Sequence, residues 1–256
     1  MYEFPRTSPV VVDLRVRHGM VAIDAGPHER VQVTVEPPAP DVEMTLDGDT
    51  LLIHDPRRRG PELAITVRVP ADSAITGRSA AADVRATGRY ATAHLDLGSA
   101  DGWIEEITGD VHITAASGDV IVGRAGSAVW AKSSSGQVRV GDVVGDVTID
   151  TASGAITVGA AHASLQARSA SGAVSVGSLR QGQAKIRTTS GDVTVGVEAG
   201  TGVWLDLDTH AGHSVTDLTA GGGSAAAPSG AGLELRVRTS SGDIHVHRVD
   251  SIAMAA

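Results

Sequence analysis

Five phrases decide how this chain folds: AASGDVIVG (residues 115–123), SSSGQVRVG (133–141), TASGAITVG (151–159), SASGAVSVG (169–177) and TTSGDVTVG (188–196). Their corner glycines, Gly118, Gly136, Gly154, Gly172 and Gly191, follow one another at steps of 18, 18, 18 and 19 residues. A period of that size marks a stacked repeat protein, because one such unit is too short to bury its own apolar face.

In one unit, Val147, Ile149 and Thr151 share a face of an extended segment, and Ile156 and Val158 share a face of the next, the period-2 signature of half-buried strands. The Ser-Gly between them suits a corner, since glycine takes positive φ without steric cost and serine bonds its local backbone. Shifting by the period aligns Val120, Val138, Ile156, Val174 and Val193 in one column and Val122, Val140, Val158, Val176 and Val195 in another. A third column, Ala115, Ser133, Thr151, Ser169 and Thr188, is small or hydroxylated. These columns predict an all-β solenoid, a stack like a parallel β-helix with coils of about 18 residues. On the outside, Lys132, Asp150 and Arg168 become stacked neighbours, which favours the register by a few tenths of a kcal/mol to about 1 kcal/mol each.

Composition agrees with a narrow aliphatic core and many tight corners: aromatics are 2% of 256 residues, and there are 31 glycines. A net charge of −9 opposes nucleic acid and anionic membranes, so no nucleic-acid partner is expected. There is no cysteine, hence no disulfide framework or thiol chemistry. The first 17 residues, MYEFPRTSPVVVDLRVR, do not read as a secretory leader, and no run is long enough for a membrane span. The expectation is a soluble, cytoplasmic protein without membrane insertion, with export by a non-classical route as the alternative.

Residues 1–70 read as an irregular β region that caps the solenoid. Residues 10–16 and 20–26 suggest two short strands around a turn at His18-Gly19, 29–36 a third strand, and 42–46 with 50–54 a hairpin about Asp47-Gly48-Asp49. The solenoid is expected over 71–249, with corners at 79–84 and 98–103. Its last units lie at Leu205, Leu207 and Thr209 and at Leu235, Val237, Thr239, Ile244 and Val246. A Gly/Ala-rich loop at 217–232 is expected to project without disturbing the stack, and 250–256 form a tail.

The SGD phrases at Ser117-Gly118-Asp119, Ser190-Gly191-Asp192 and Ser241-Gly242-Asp243, the looser copies between them and the proline-ended strand Val67-Arg68-Val69-Pro70 resemble the bacterial β-strand-repeat family of unknown function labelled "putative adhesin". The resemblance implies a β-solenoid without an established enzymatic role.

No catalytic motif is found. Gly222-Gly223-Ser224-Ala225-Ala226 lacks the last glycine of a nucleophile elbow and the lysine of a phosphate loop. The residue after each corner glycine, Asp119, Gln137, Ala155, Ala173 and Asp192, supplies too few carboxylates for a calcium ladder. No cofactor is expected. His245 and His247, with His213 or Asp217, are the best metal candidates but lack an evident third ligand, so no metal is expected and they read as a solvated edge strand. Trp103, Trp130 and Trp204 fall at outward or corner positions and are candidate interaction residues. Arg57, Arg58 and Arg59 form a candidate patch for an anionic partner, or a solvated turn.

These readings point to a non-catalytic scaffold that binds other proteins or self-associates through unpaired strand edges at its ends. A cell-surface adhesion module is the alternative, and a carbohydrate-active enzyme the weaker one, since no acid pair clusters in the repeats.

Overall fold

A computed structural model describes residues 2–57, 61–218 and 232–250. The first seven strands are β1 (Tyr2–Phe4), β2 (Val11–Gly26), β3 (Val31–Glu36), β4 (Glu43–Asp47), β5 (Thr50–His54), β6 (Leu63–Pro70) and β7 (Ser73–Leu97). The repeats follow as β8 (Gly102–Ile107), β9 (Val111–Ala115), β10 (Val120–Ala125), β11 (Val129–Ser133), β12 (Val138–Val143), β13 (Val147–Thr151), β14 (Ile156–Ala161), β15 (Leu165–Ser171), β16 (Val174–Leu179), β17 (Gly182–Ser190) and β18 (Val193–Glu198). The chain closes with β19 (Val203–Ala211), β20 (Ser214–Thr216), β21 (Leu233–Ser241) and β22 (Ile244–Val249).

The repeats form two parallel ladders. One runs through β9, β11, β13, β15 and β17, and the other through β8, β10, β12, β14, β16 and β18. Val120 pairs with Val138, Val138 with Ile156, Ile156 with Val174 and Val174 with Val193, and every member of that column is buried. The aliphatic columns thus meet inside the stack as the period predicts. A further inward column, Ile107, Ala125, Val143, Ala161, Leu179 and Val197, lies past the glycine that ends each phrase and is buried as well. Strict alternation hides this column in β8, β10, β12, β14 and β16, where two residues rather than one separate the inward positions; in β18 only Gly196 stands between Val195 and Val197.

Of the five corner glycines Gly191 has the positive φ expected, at 157, while the other four hold a different role. Gly118, Gly136, Gly154 and Gly172 are not in the left-handed region, but a Cβ on Gly136 would stand 1.9 Å from the carbonyl oxygen of Gly118, and one on Gly154 1.9 Å from that of Gly136. Close approach of one rung to the next, rather than positive φ, excludes a side chain. The bonding hydroxyl also belongs to the inward column instead of the Ser-Gly pair: Ser133 Oγ accepts from the Gly136 amide and Thr151 Oγ1 from that of Gly154, each at 3.0 Å.

The aspartate of each SGD phrase links rungs. The Asp119 amide donates to Asp101 Oδ1 at 2.8 Å, and the Gln137 amide to Asp119 Oδ1 at 2.9 Å.

At the N-terminal end the stack continues rather than stopping. Residues 10–26 are not two strands about a turn but the single strand β2, bent at Gly19, whose halves join the two ladders beside residues 74–79 and 81–88 of β7. On its other side lie β5 and β6, also parallel. The hairpin about Gly48 forms as read: β4 pairs antiparallel with β5, and Gly48 has φ 57. β3 pairs antiparallel with β6, and β1 with β3. Val42 is buried, and Phe4 and Ala39 are partly buried against the core.

At the C-terminal end the rungs leave chain order. β21 pairs with β17 on one side and β19 on the other, and β22 likewise lies between β18 and β20. The rung 233–249 is therefore slipped inside the rung 203–216, contrary to the expectation that the connecting loop leaves the stack undisturbed. Hydrogen bonds repeat that order, since the Asp243 amide donates to Asp192 Oδ1 and the His213 amide to Asp243 Oδ1. The loop itself lies largely outside the described residues.

The physical reason is in the inward positions. In the second ladder the rung 233–249 offers Ile244 and Val246, both buried, whereas 203–216 offers Ser214 and Thr216, both exposed. Burying two aliphatic side chains between rungs is worth about 4 kcal/mol, which hydroxyls cannot match, so the poorer rung is left at the end.

Candidate functional site

The end rung leaves apolar side chains partly exposed. β19 pairs only with β21 and β20 only with β22, so their outer edges have no strand partner among the described residues. Val203, Leu205 and Leu207 point inward yet are only half-buried, and Val215 is 53% exposed. Sequence reasoning placed this rung inside the stack; the polar pair Ser214 and Thr216, where inner rungs carry valine or isoleucine, is the signal of an end.

A second surface is a trough of about 570 Å³ floored by Gly123, Gly141 and Gly159. Its walls carry carboxylates that the sequence reading did not bring together. Asp142 pairs with His162 Nε2 at 2.8 Å, and Glu106 with Arg124 at 3.5 Å. Glu198 lies 3.5 Å from Ser178 Oγ and 3.9 Å from Arg180. Glu105 accepts the Gly88 amide at 2.7 Å. Each of these acids is engaged by a partner of its own.

The predicted residues do not converge. Trp130 stacks on His112 at 4.0 Å between centroids, and His112 on His94 at 4.6 Å. Burial, reinforced by the neighbouring His94, holds the His112 pKa below the usual imidazole value. Trp103 lies on the other ladder under the Arg85 guanidinium, 4.6 Å from its ring centroid, and Trp204 on the end rung beneath Arg236 at 5.2 Å. The three tryptophans are each half covered by a neighbour and share no surface patch.

His245 and His247 stand side by side with centroids 5.2 Å apart. His245 Nε2 lies 3.1 Å from Asp217, while His213 is turned to Asp243 at 3.7 Å. Among the described residues no group of three metal-ligating side chains forms, and His247 Nδ1 is buried without a hydrogen-bond partner. Arg57 is tied to Asp55 through Nε at 2.8 Å. Burial works to raise the Asp55 pKa, but the hydrogen bonds from the Arg57 side chain and amide outweigh it and hold the carboxyl below its usual value. Arg58 and Arg59 lie outside the described residues.

Residues 127–253 match the family model described as Toastrack DUF4097. Among solved structures, a "putative adhesin" from Bacteroides fragilis is 12% identical, with 97% of this chain and 95% of that one covered and a TM-score of 0.47. Another "putative adhesin", from Parabacteroides distasonis, is also 12% identical over 97% and 95%, with a TM-score of 0.42. A "putative cell adhesion protein" from Clostridium sporogenes is 11% identical over 96% and 94%, with a TM-score of 0.24. No curated protein matches the chain.

Proposed function

Because residues 127–253 belong to the Toastrack DUF4097 family, whose function is unknown, we propose that the chain is a non-catalytic structural protein that joins a second copy of itself through the open end of its stack. The observation that carries this reading is the inequality of the two ends. The N-terminal end finishes in short antiparallel strands, the five-residue β4 and the three-residue β1, each paired on one side among the described residues. The C-terminal end presents two parallel strand edges over half-buried Val203, Leu205 and Leu207.

A partner that satisfies both edges must present two strand edges at the same separation, and a second copy of this end does so. Two such ends related by a twofold axis pair antiparallel and close, whereas the short antiparallel edges of the N-terminal end do not match the two parallel edges of β19 and β20. The test is the mass in solution across a concentration series, by size exclusion with light scattering. A dimer is expected, with Val215→Lys and Leu207→Glu shifting it to monomer. A protein that stays monomeric at every concentration overturns the reading.

A further inference from the structure

The outer face of the ladder through β15, β17, β21 and β19 carries two columns of charge. One reads Gln166, Lys185, Arg236 and Asp206, and the other Arg168, Arg187, Arg238 and Asp208. Stacked in chain order, these rungs would put Asp206 against Lys185 and Asp208 against Arg187. The intercalated rung puts Arg236 and Arg238 in those places. Arg187 therefore has an arginine on each side, about 4.8 Å away along the stack.

The carboxylates that remain stand at the margins. Asp150 lies 3.7 Å from Arg168, Glu234 accepts from Arg236 Nε at 2.7 Å, and Asp206 and Asp208 each lie 3.0 Å from Arg238. In the centre, Lys185 and Arg187 form neither an ion pair nor a side-chain hydrogen bond among the described residues, and a groove of about 560 Å³ opens over them. Like charges directly opposite across strands are destabilising, so the fold accepts a local cost here.

We propose that this groove binds a compact oxyanion of the phosphate class, seated over Lys185 and Arg187 and reached by Arg168 from one side and Arg238 from the other. A doubly charged tetrahedral group turns the repulsion among these cations into attraction, and the guanidinium forks offer it paired donors. The marginal carboxylates already hold Arg168, Arg236 and Arg238, so fewer side chains lose freedom on binding. Because those carboxylates confine the positive field to the groove, and the whole chain carries −9, the site suits a small anion rather than a long polyanion.

The test is titration of the full chain in a phosphate-free buffer with inorganic phosphate and, separately, with glycerol phosphate as a model phosphate ester, followed by calorimetry and by the arginine side-chain NMR signals. Saturable binding is expected for the wild type and for Arg78→Gln, an exposed arginine of the same face that is held by Asp96. The double variant Lys185→Gln/Arg187→Gln is expected to bind about tenfold more weakly or worse while melting no lower than the wild type. Arg187→Lys, which keeps the charge and loses the fork, falls between. Tighter binding of the ester assigns the site to a phosphate carried on a larger molecule, and tighter binding of the free ion assigns it to inorganic phosphate. Equal affinity of the double variant and the wild type, or no saturable binding of either probe, overturns the proposal.

Discussion

At a corner of the stack a single hydrogen atom decides whether two rungs can meet. A methyl group on Gly136 would stand 1.9 Å from the Gly118 carbonyl oxygen, and the next nearest atoms are also backbone, of Gly118 and Asp119, so no flexible side chain is there to yield. Gly136→Ala is therefore expected to cost about 3 kcal/mol, read as a lowered denaturant midpoint with little change in slope. Gly48→Ala is the comparison: its φ of 57 is left-handed but nothing lies within 4 Å, so only the backbone term of about 1 kcal/mol applies. Asp119→Ala removes the acceptor of the Gln137 amide at an exposed site and is expected to cost about 1 kcal/mol. His112 makes a prediction in pH. Its folded pKa is depressed, so the neutral ring is the form the fold prefers. That contribution is complete above the unfolded value near 6.5 and declines as pH falls below it toward the folded value. The wild type should thus lose more stability between pH 7.5 and pH 5 than His112→Phe, and equal losses would exclude His112 as the source.

Among the elements, period told which residues share a column but not which rung follows which. Val120, Val138 and Ile156 could be aligned by adding 18 because nothing longer than a corner separates them. The hairpin about Gly48 was equally plain, since two alternating runs flank a two-residue turn. Between β20 and β21 the connection is longer than any corner, and a chain that leaves the stack can rejoin it one rung away. The deciding information was present, but it lay in the polar residues: Ser214 and Thr216 cannot replace Ile244 and Val246 between two apolar layers. Surface charge pointed the other way, and at a few tenths of a kcal/mol to about 1 kcal/mol per pair it lost to burial. The candidate surfaces were hidden for the same reason, because both the open edge and the run of Arg168, Arg187 and Arg238 exist only in the exchanged order. Engineered disulfides read that order directly in a protein with no cysteine of its own. Ser190 and Ser241 are register partners, as are Ser241 and Ala211, while Ser190 and Ala211 are separated by a rung. Ser190→Cys/Ser241→Cys and Ser241→Cys/Ala211→Cys should oxidise to intramolecular disulfides, since neighbouring strands lie within the Cα range such a bond spans. Ser190→Cys/Ala211→Cys should not, and efficient closure of that pair would restore chain order.

For the molecule as a whole, each rung touches only the rungs above and below, so stability approximates a sum over neighbouring interfaces. That sum assigns unequal values to two segments near the C-terminus that look alike in sequence. The rung 203–216 has one neighbour, and the rung 233–249 has two. Removing residues 203–232 joins Gly202 to Leu233, whose amide already donates to the Gly202 carbonyl at 3.1 Å, and leaves every other interface in place. Removing 233–256 takes away two interfaces and uncovers Ile186, Val193 and Val195 to water unless the poorer end rung settles onto them. The first deletion is expected to melt a few degrees below the wild type with unfolding still cooperative, and the second to melt well below it and expose apolar surface to a hydrophobic dye. The first deletion also separates the two surfaces at this end. It removes β19 and β20, and with them the edges proposed to pair, while Lys185, Arg187 and Arg238 remain together on β17 and β21. A shortened chain that is still folded and still binds phosphate, with its new end formed by β21 and β22 over Leu235, Val237 and Val246, shows that the anion groove does not depend on the end rung. If phosphate binding disappears while β17 and β21 remain paired, the groove depends on Asp206 and Asp208 holding Arg238, and the marginal carboxylates are then part of the site.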